Sequence, residues 1–149
     1  MAEVLFYHLT ESTLEDALPG LLERSLQRGW KAVVQTGTEE RRDALDTHLW
    51  TFRDDSFLAH GTDREAHPSD QPVLLTTGQG NGNDAEIRFV VDGAEPPGLD
   101  DYQRAVFLFD GHDQAQVESA REQWKKLKAQ NHEVTYWQQT PDRRWERKA

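Results

Sequence analysis

The feature that most constrains the fold is the alternation of short apolar runs with helical patterns in the first fifty residues. Residues 3–9 (EVLFYHL) and 30–35 (WKAVVQ) are apolar and aromatic runs that predict buried strands. Leucines at helical spacing predict a helix over residues 14–28, and a second helix is predicted over residues 39–50. A strand–helix–strand–helix order is typical of a parallel sheet with crossover helices, so the sequence predicts the α/β class.

The rest of the chain extends this pattern with further strands and one long helix. Strands are predicted at residues 72–76, 86–91, 105–109 and 132–138, and a helix at residues 113–130. Pro19 and Gly20 predict a kink or a division in the first helix. Residues 51–71 lack periodicity and predict a long ordered loop. We therefore expect one three-layer α/β domain over residues 1–140, with a twisted, mostly parallel sheet, helices on both faces and a charged tail over 141–149.

The distribution of charge limits the kind of partner. The net charge is −10, which argues against a protein that binds nucleic acid strongly and directly. Residues 1–120 carry 9 Lys and Arg against 23 Asp and Glu, whereas residues 121–149 carry 8 against 4. A basic end on an acidic body can attract a small anionic partner while the body repels polyanions. A short acidic peptide fits this charge distribution better than a duplex does.

Several classes of protein are not expected from the composition. The chain has no cysteine, so it can form neither disulfides nor thiolate metal sites. Its apolar runs are all shorter than a membrane span requires. The first residues enter a strand pattern without the basic region of a signal peptide, and we expect a cytoplasmic protein.

The helix predicted over residues 113–130 carries two adjoining faces. Its apolar face consists of Val117, Ala120, Trp124 and Leu127. A basic ridge beside that face consists of Arg121, Lys125 and Lys128. An aromatic ring flanked by cations suits a ligand with an apolar and an anionic part. The alternative is that Trp124 belongs wholly to the core and that the basic ridge is only a solvated surface.

No motif in the sequence indicates catalysis. The glycine-rich segment 78–83 precedes a predicted strand, whereas a phosphate loop precedes a helix, so we interpret it as a hairpin turn. The six histidines lack the spacing of a zinc site, and no serine lies in a G-x-S-x-G context. We expect no cofactor, no metal and no enzymatic activity.

Two sequence blocks carry a resemblance to a known family. The first is L-D-x-x-L-W followed by S-F and a histidine: Leu45, Asp46, Leu49, Trp50, Ser56, Phe57 and His60. The second is A-R-x-x-aromatic-K: Ala120, Arg121, Trp124 and Lys125. In this order, after an opening strand of the F-Y-x-L type, they resemble the chi subunit of bacterial DNA polymerase III, an accessory component of the clamp-loader assembly.

The resemblance implies a fold and a function. It implies a Rossmann-like domain without a phosphate loop, and a non-catalytic subunit of DNA replication that binds the acidic C-terminal tail of single-stranded DNA-binding protein. It also implies contact with the psi subunit or another clamp-loader subunit. The implied peptide-binding residues are Trp50, Phe57, Arg121, Trp124, Lys125 and Lys128. The alternative is a small nucleotide-using α/β enzyme of unknown substrate, with its ligand near residues 8–13 and 36–38.

Overall fold

The computed structural model describes residues 2–51, 59–64 and 67–149. Its strands are β1 (Glu3–Leu9), β2 (Ala32–Gln35), β3 (Gly61–Thr62), β4 (Val73–Thr76), β5 (Ile87–Val90), β6 (Arg104–Asp110), β7 (Glu133–Gln139) and β8 (Trp145–Arg147). Its helices are α1 (Leu14–Gln27), α2 (Glu39–Thr51) and α3 (Gln114–Ala129). The α/β prediction is therefore confirmed.

The strands described by the structure form one sheet in the order β3-β4-β2-β5-β6-β1-β7-β8. Every pairing is parallel except that of β7 with β8. The central strands β2, β4 and β5 are buried along their whole length, as expected for a parallel sheet covered on both faces.

Helices cover the two faces of the sheet unequally. One face packs against α1 and α2 through Leu18, Leu22, Leu45 and Leu49. The other face packs against α3 through Ala120 and Leu127, with Trp124 at the margin. Alternating residues of one strand serve both cores: Val34 faces the first and Val33 the second.

The strand order explains which helix covers which face. Both α1 and α2 carry the chain toward the β3 edge of the sheet, whereas α3 carries it toward the β8 edge. Parallel crossovers are almost always right-handed, so connections that run in opposite directions lie on opposite faces. Consequently α2 and α3 are separated by the sheet.

Helix α1 begins at a capping box and contains a proline without being divided. Its N-cap is Thr13, which exchanges hydrogen bonds with Asp16. The predicted division at Pro19 is wrong, because α1 is continuous over Leu14–Gln27, whereas a kink there stays a prediction. Since Pro19 has no N–H for the Glu15 carbonyl, that oxygen instead contacts the His48 Nε2 of α2 at 2.8 Å.

Three connecting segments differ from the sequence-based expectation. Residues 61–62, inside the predicted loop, form β3 at the sheet edge. The hairpin expected at residues 78–83 is wrong, because β4 and β5 pair in parallel with opposite edges of β2. In the predicted tail 141–149, residues Trp145–Arg147 form β8 and pair with β7. Within the described ranges, no helix is long and apolar enough to cross a membrane.

Candidate functional site

The exposed surface of α3 is fixed by the way the helix begins and packs. Asp113 caps it, its carboxylate accepting from the backbone N–H groups of Ala115 and Gln116 at 3.0 and 3.3 Å. Ala120, Gln123 and Leu127 are buried against the sheet. This rotation about the helix axis leaves Trp124 half-buried at the margin and the basic ridge in solvent.

Trp124 belongs partly to the core and partly to the surface. Its ring meets Phe6 and Tyr136 edge-on, with centroids 5.7 and 5.8 Å away. The Lys128 ammonium lies 4.9 Å from the centroid of the same ring. The structure thus brings Trp124 and Lys128 together. The indole packs against Phe6 and Tyr136 and also contacts the exposed Lys128 ammonium.

The basic ridge consists of Arg121, Lys125 and Lys128, all exposed. Within the described ranges none of the three pairs with a carboxylate, although Lys126 of the same helix approaches Glu95 at 3.9 Å. Three cations without counter-charges on an acidic protein provide a local attraction for anions.

Two residues that sequence reasoning missed lie beside Arg121. The His8 Nδ1 and the Tyr136 hydroxyl are 2.6 Å apart, on neighbouring strands β1 and β7. Burial lowers the pKa of His8, and Arg121 and His112 lower this pKa further. Burial also raises the pKa of Tyr136, an effect that Arg121 opposes. Both residues lie on the same face as α3, a relation that only the pairing of β1 with β7 reveals.

Trp50 is not part of this surface. It is 51% exposed near the end of α2, and its ring lies 4.3 Å from that of His60. His60 in turn contacts the Asp46 carbonyl and carboxylate at 3.0 and 3.1 Å. Because α2 and α3 cover opposite faces, the structure does not bring Trp50 together with Arg121 or Trp124. Phe57, the other aromatic residue predicted for the site, lies outside the described residues.

A crevice of about 690 Å³ lies at the carboxyl ends of the central strands. It is placed where α1 leaves β1 toward one face and α3 leaves β6 toward the other, the usual ligand position in open α/β sheets. The loop after β1, however, is already bonded: the N–H groups of Thr10, Glu11 and Ser12 donate to Gln139 Oε1 at 3.2, 3.0 and 2.9 Å. Backbone donors that would face a phosphate are thus used by a side chain of β7.

Arg41 and two acidic side chains, Glu15 and Asp92, contribute to the lining of this crevice. Arg41 bridges Glu15 at 2.7 Å and Asp92 at 3.0 Å. Both partners raise the pKa of Arg41, and the Arg41 hydrogen bond helps to hold the pKa of Glu15 below its usual value against burial. Across the described residues, no three His, Asp or Glu side chains are grouped closely enough to hold a metal ion.

The fold and the α3 surface define an α/β protein with a basic and aromatic helix suited to an anionic partner. The chain belongs to the family of the DNA polymerase III chi subunit, HolC, whose model matches residues 1–135. This confirms the resemblance seen in the sequence, and the family is that of an accessory subunit of the replicative polymerase.

Two relatives show how far the similarity extends. The probable DNA polymerase III subunit chi of Rickettsia prowazekii (strain Madrid E) is 25% identical over 91 residues, which cover 61% of this chain and 55% of that protein. The DNA polymerase III subunit chi of Pseudomonas aeruginosa is 26% identical over 88 residues, which cover 59% of this chain and 61% of that protein. The match therefore spans little more than half the length of each relative.

Proposed function

We propose that this chain is a non-catalytic adaptor that links the clamp loader of DNA polymerase III to single-stranded DNA-binding protein by binding its acidic C-terminal tail at α3. The observation that carries the proposal is the ridge of three exposed cations without carboxylate partners, beside the half-buried Trp124. Such a surface suits an acidic peptide that ends in an aromatic residue and a free carboxylate.

Each part of the tail has a chemical counterpart on α3 or on the adjacent strand β7. The terminal aromatic ring packs against Trp124 and Tyr136, which already meet edge-on. Arg121 or Lys125 pairs with the terminal carboxylate, and Lys128 faces the preceding aspartates. The affinity expected for such a short peptide is on the order of micromolar. It should weaken with salt, because much of the attraction is between exposed charges.

The direct test is calorimetric titration with a peptide ending Asp-Asp-Ile-Pro-Phe, alongside the same peptide without its final Phe. We expect saturable binding of the first peptide only. Arg121→Ala should weaken binding by about 1–3 kcal/mol, because the carboxylate loses its charged partner. Normal binding by a folded Arg121→Ala variant would contradict the assignment of the site.

Arg24→Ala is the matched control, since it removes one exposed arginine on the α1 side of the sheet. It should bind the peptide as the natural chain does. Trp50→Ala separates the two halves of the site predicted from sequence: the proposal places recognition on α3 and the adjacent Tyr136 of β7, so this variant should also bind normally. A tenfold loss of peptide affinity in Trp50→Ala would show that Trp50 is part of the peptide site.

The adaptor role also requires attachment to the clamp loader in the cytoplasm, through the psi subunit or another subunit. Arg121→Ala should leave that attachment intact while it weakens binding of the acidic tail, because the two contacts are separate. Co-purification with clamp-loader subunits measures the first, and the peptide titration measures the second. The nucleotide-enzyme alternative is disfavoured by Gln139, which occupies the backbone donors of the β1–α1 loop.

A further inference from the structure

A second cavity, of about 390 Å³, lies on the α1 side of the sheet, far from the α3 surface. It opens between the C-terminal half of α1 and the beginnings of β5 and β6. Apolar residues Leu21, Ile87, Phe89 and Val106 and the basic residues Arg24, Arg28 and Arg104 contribute to its lining. Its lining therefore combines an apolar floor with three guanidinium groups.

The charge in this cavity is unusual for the acidic body of the protein. Elsewhere in that body Arg41, Arg42 and Arg64 pair with carboxylates. Among the described residues, Arg24 and Arg28 pair with no carboxylate, whereas Arg104 forms an ion pair with Glu3, with Nε 2.5 Å from Oε1. The C-terminal end of α1 favours cations on its own helix but does not account for Arg104, which comes from β6.

Arg24 lies in the last turn of α1 and Arg28 at its C-cap, four residues apart, a spacing at which like charges repel. Arg28 and Arg104 both approach the Trp30 ring, at 5.2 and 5.4 Å from its centroid. An anion placed between these guanidinium groups would relieve their mutual repulsion. The aromatic ring holds two of the three in position before any ligand arrives.

Tyr7 provides a polar group at the floor of the cavity. Its ring packs against Trp145 with centroids 4.5 Å apart. Burial raises the pKa of the Tyr7 hydroxyl, Arg104, Arg24 and Arg28 lower it, and Glu3 raises it, so the three cations and one carboxylate act electrostatically on the same group. In the part of the chain described here, the hydroxyl has no hydrogen-bond partner and remains available as a donor.

We propose that this cavity binds an organic phosphate monoester, with the phosphate held by Arg24, Arg28 and Arg104. Guanidinium groups bind phosphate oxygens in pairs, and the Tyr7 hydroxyl can donate to a further oxygen. The organic part lies on the apolar floor beside Tyr7. The volume is that of a site for a small molecule rather than for a folded partner.

The test uses phenyl phosphate, inorganic phosphate and phenol as probes of the full chain, with NMR detection of the arginine Nε–H signals at low salt. We expect phenyl phosphate to bind at least tenfold more tightly than inorganic phosphate and to shift the Arg24, Arg28 and Arg104 signals. Phenol should not bind measurably. Equal affinity for the two phosphates, or shifts confined to other arginines, would overturn the proposal.

Two double variants separate this site from the α3 surface. Arg24→Gln with Arg28→Gln should lose at least tenfold in affinity for phenyl phosphate but bind the acidic peptide normally. Arg121→Gln with Lys125→Gln should show the reverse. All four side chains are exposed, so circular dichroism should show both variants folded. Phenyl phosphate binding that survives the first variant would refute the proposal and leave the peptide site untouched.

Discussion

At the scale of single residues, Arg88 shows how this fold accommodates a fully buried cation. Its side chain has no exposed surface, and its five N–H groups donate to neutral oxygens. The acceptors are the Gln35 amide, the Tyr102 hydroxyl and the carbonyls of Gly78 and Gly80. Burial lowers the pKa of Arg88, but every donor is satisfied. Arg88 thereby ties the glycine-rich segment to the sheet.

Arg88→Lys should therefore be strongly destabilising although it keeps the charge. Lysine has three donors on one nitrogen and cannot reach acceptors arranged around a planar guanidinium, so several buried oxygens lose their partners. We expect the free energy of unfolding to fall by about 3 kcal/mol in urea denaturation. Arg64→Lys, at a side chain that is 70% exposed, is the matched control and should change it by less than about 0.5 kcal/mol. Similar losses in both variants would contradict this account.

His8 gives the fold a pH dependence with a defined sign. Because burial and Arg121 lower the pKa of His8, the unfolded chain binds protons that the folded chain rejects. Its contribution to stability is complete above the unfolded pKa of about 6.5 and is lost as the pH falls below it. Between pH 8 and pH 5, the free energy of unfolding in urea should fall less for His8→Gln than for the natural chain. His67→Gln, at an exposed histidine, is the control, and its free energy of unfolding should fall as much as that of the natural chain. An equal fall for His8→Gln would exclude this role of His8.

At the scale of elements, a proline in one helix is compensated by a histidine in the next. The Glu15 carbonyl, which Pro19 leaves without its helical donor, contacts His48 Nε2 at 2.8 Å. We expect His48→Ala to cost about 1–2 kcal/mol of unfolding free energy, because it leaves a part-buried carbonyl without a partner. In a Pro19→Ala background the cost should be smaller, since the N–H of the new alanine reaches the same oxygen.

The two substitutions therefore form a double-mutant cycle with an expected coupling of about 1 kcal/mol. Thr47→Ala, one residue away on α2, provides the control, because its hydroxyl bonds within its own helix to the Asp43 carbonyl. That substitution should be additive with Pro19→Ala. An additive result for His48→Ala as well would show that the contact contributes nothing.

The same contacts explain which elements could be predicted from sequence. The bounds of β1 match the structure, and those of α3 differ by one residue at each end, because apolar periodicity and caps are local signals. The short β3 and β8 were missed, because strands of two or three residues have no periodicity and are defined by their partners. The division of α1 was predicted from Pro19 alone, because the sequence does not show that the distant His48 contacts the carbonyl that Pro19 leaves without a donor.

At the scale of the whole molecule, the candidate site could be predicted only in part. Arg121, Trp124, Lys125 and Lys128 could be grouped because helical spacing alone places them side by side. Trp50 could not be placed, because its face of the sheet depends on the direction of each crossover and hence on strand order. His8 and Tyr136 became neighbours for the same reason, through the pairing of β1 with β7.

The role of the last nine residues can be tested on the intact architecture. A chain ending at Thr140 lacks β8 and the Trp145 ring that packs on Tyr7. Its unfolding free energy should fall by about 1–3 kcal/mol, the scale of burying one large aromatic side chain. Peptide affinity should remain within about twofold, because α3 is unchanged and Tyr136 keeps its pairing with β1. A large loss of peptide binding would transfer recognition to the basic residues after Thr140.

The position of β1 in the sheet has a consequence for biosynthesis. Its first residue, Glu3, pairs with Arg104 on one side and Glu133 on the other, so both neighbours are made long after β1 itself. Pairings so distant in sequence are slow to form, and until then an apolar strand remains with two open edges. During translation this apolar strand therefore stays exposed to other chains until β6 and β7 have emerged.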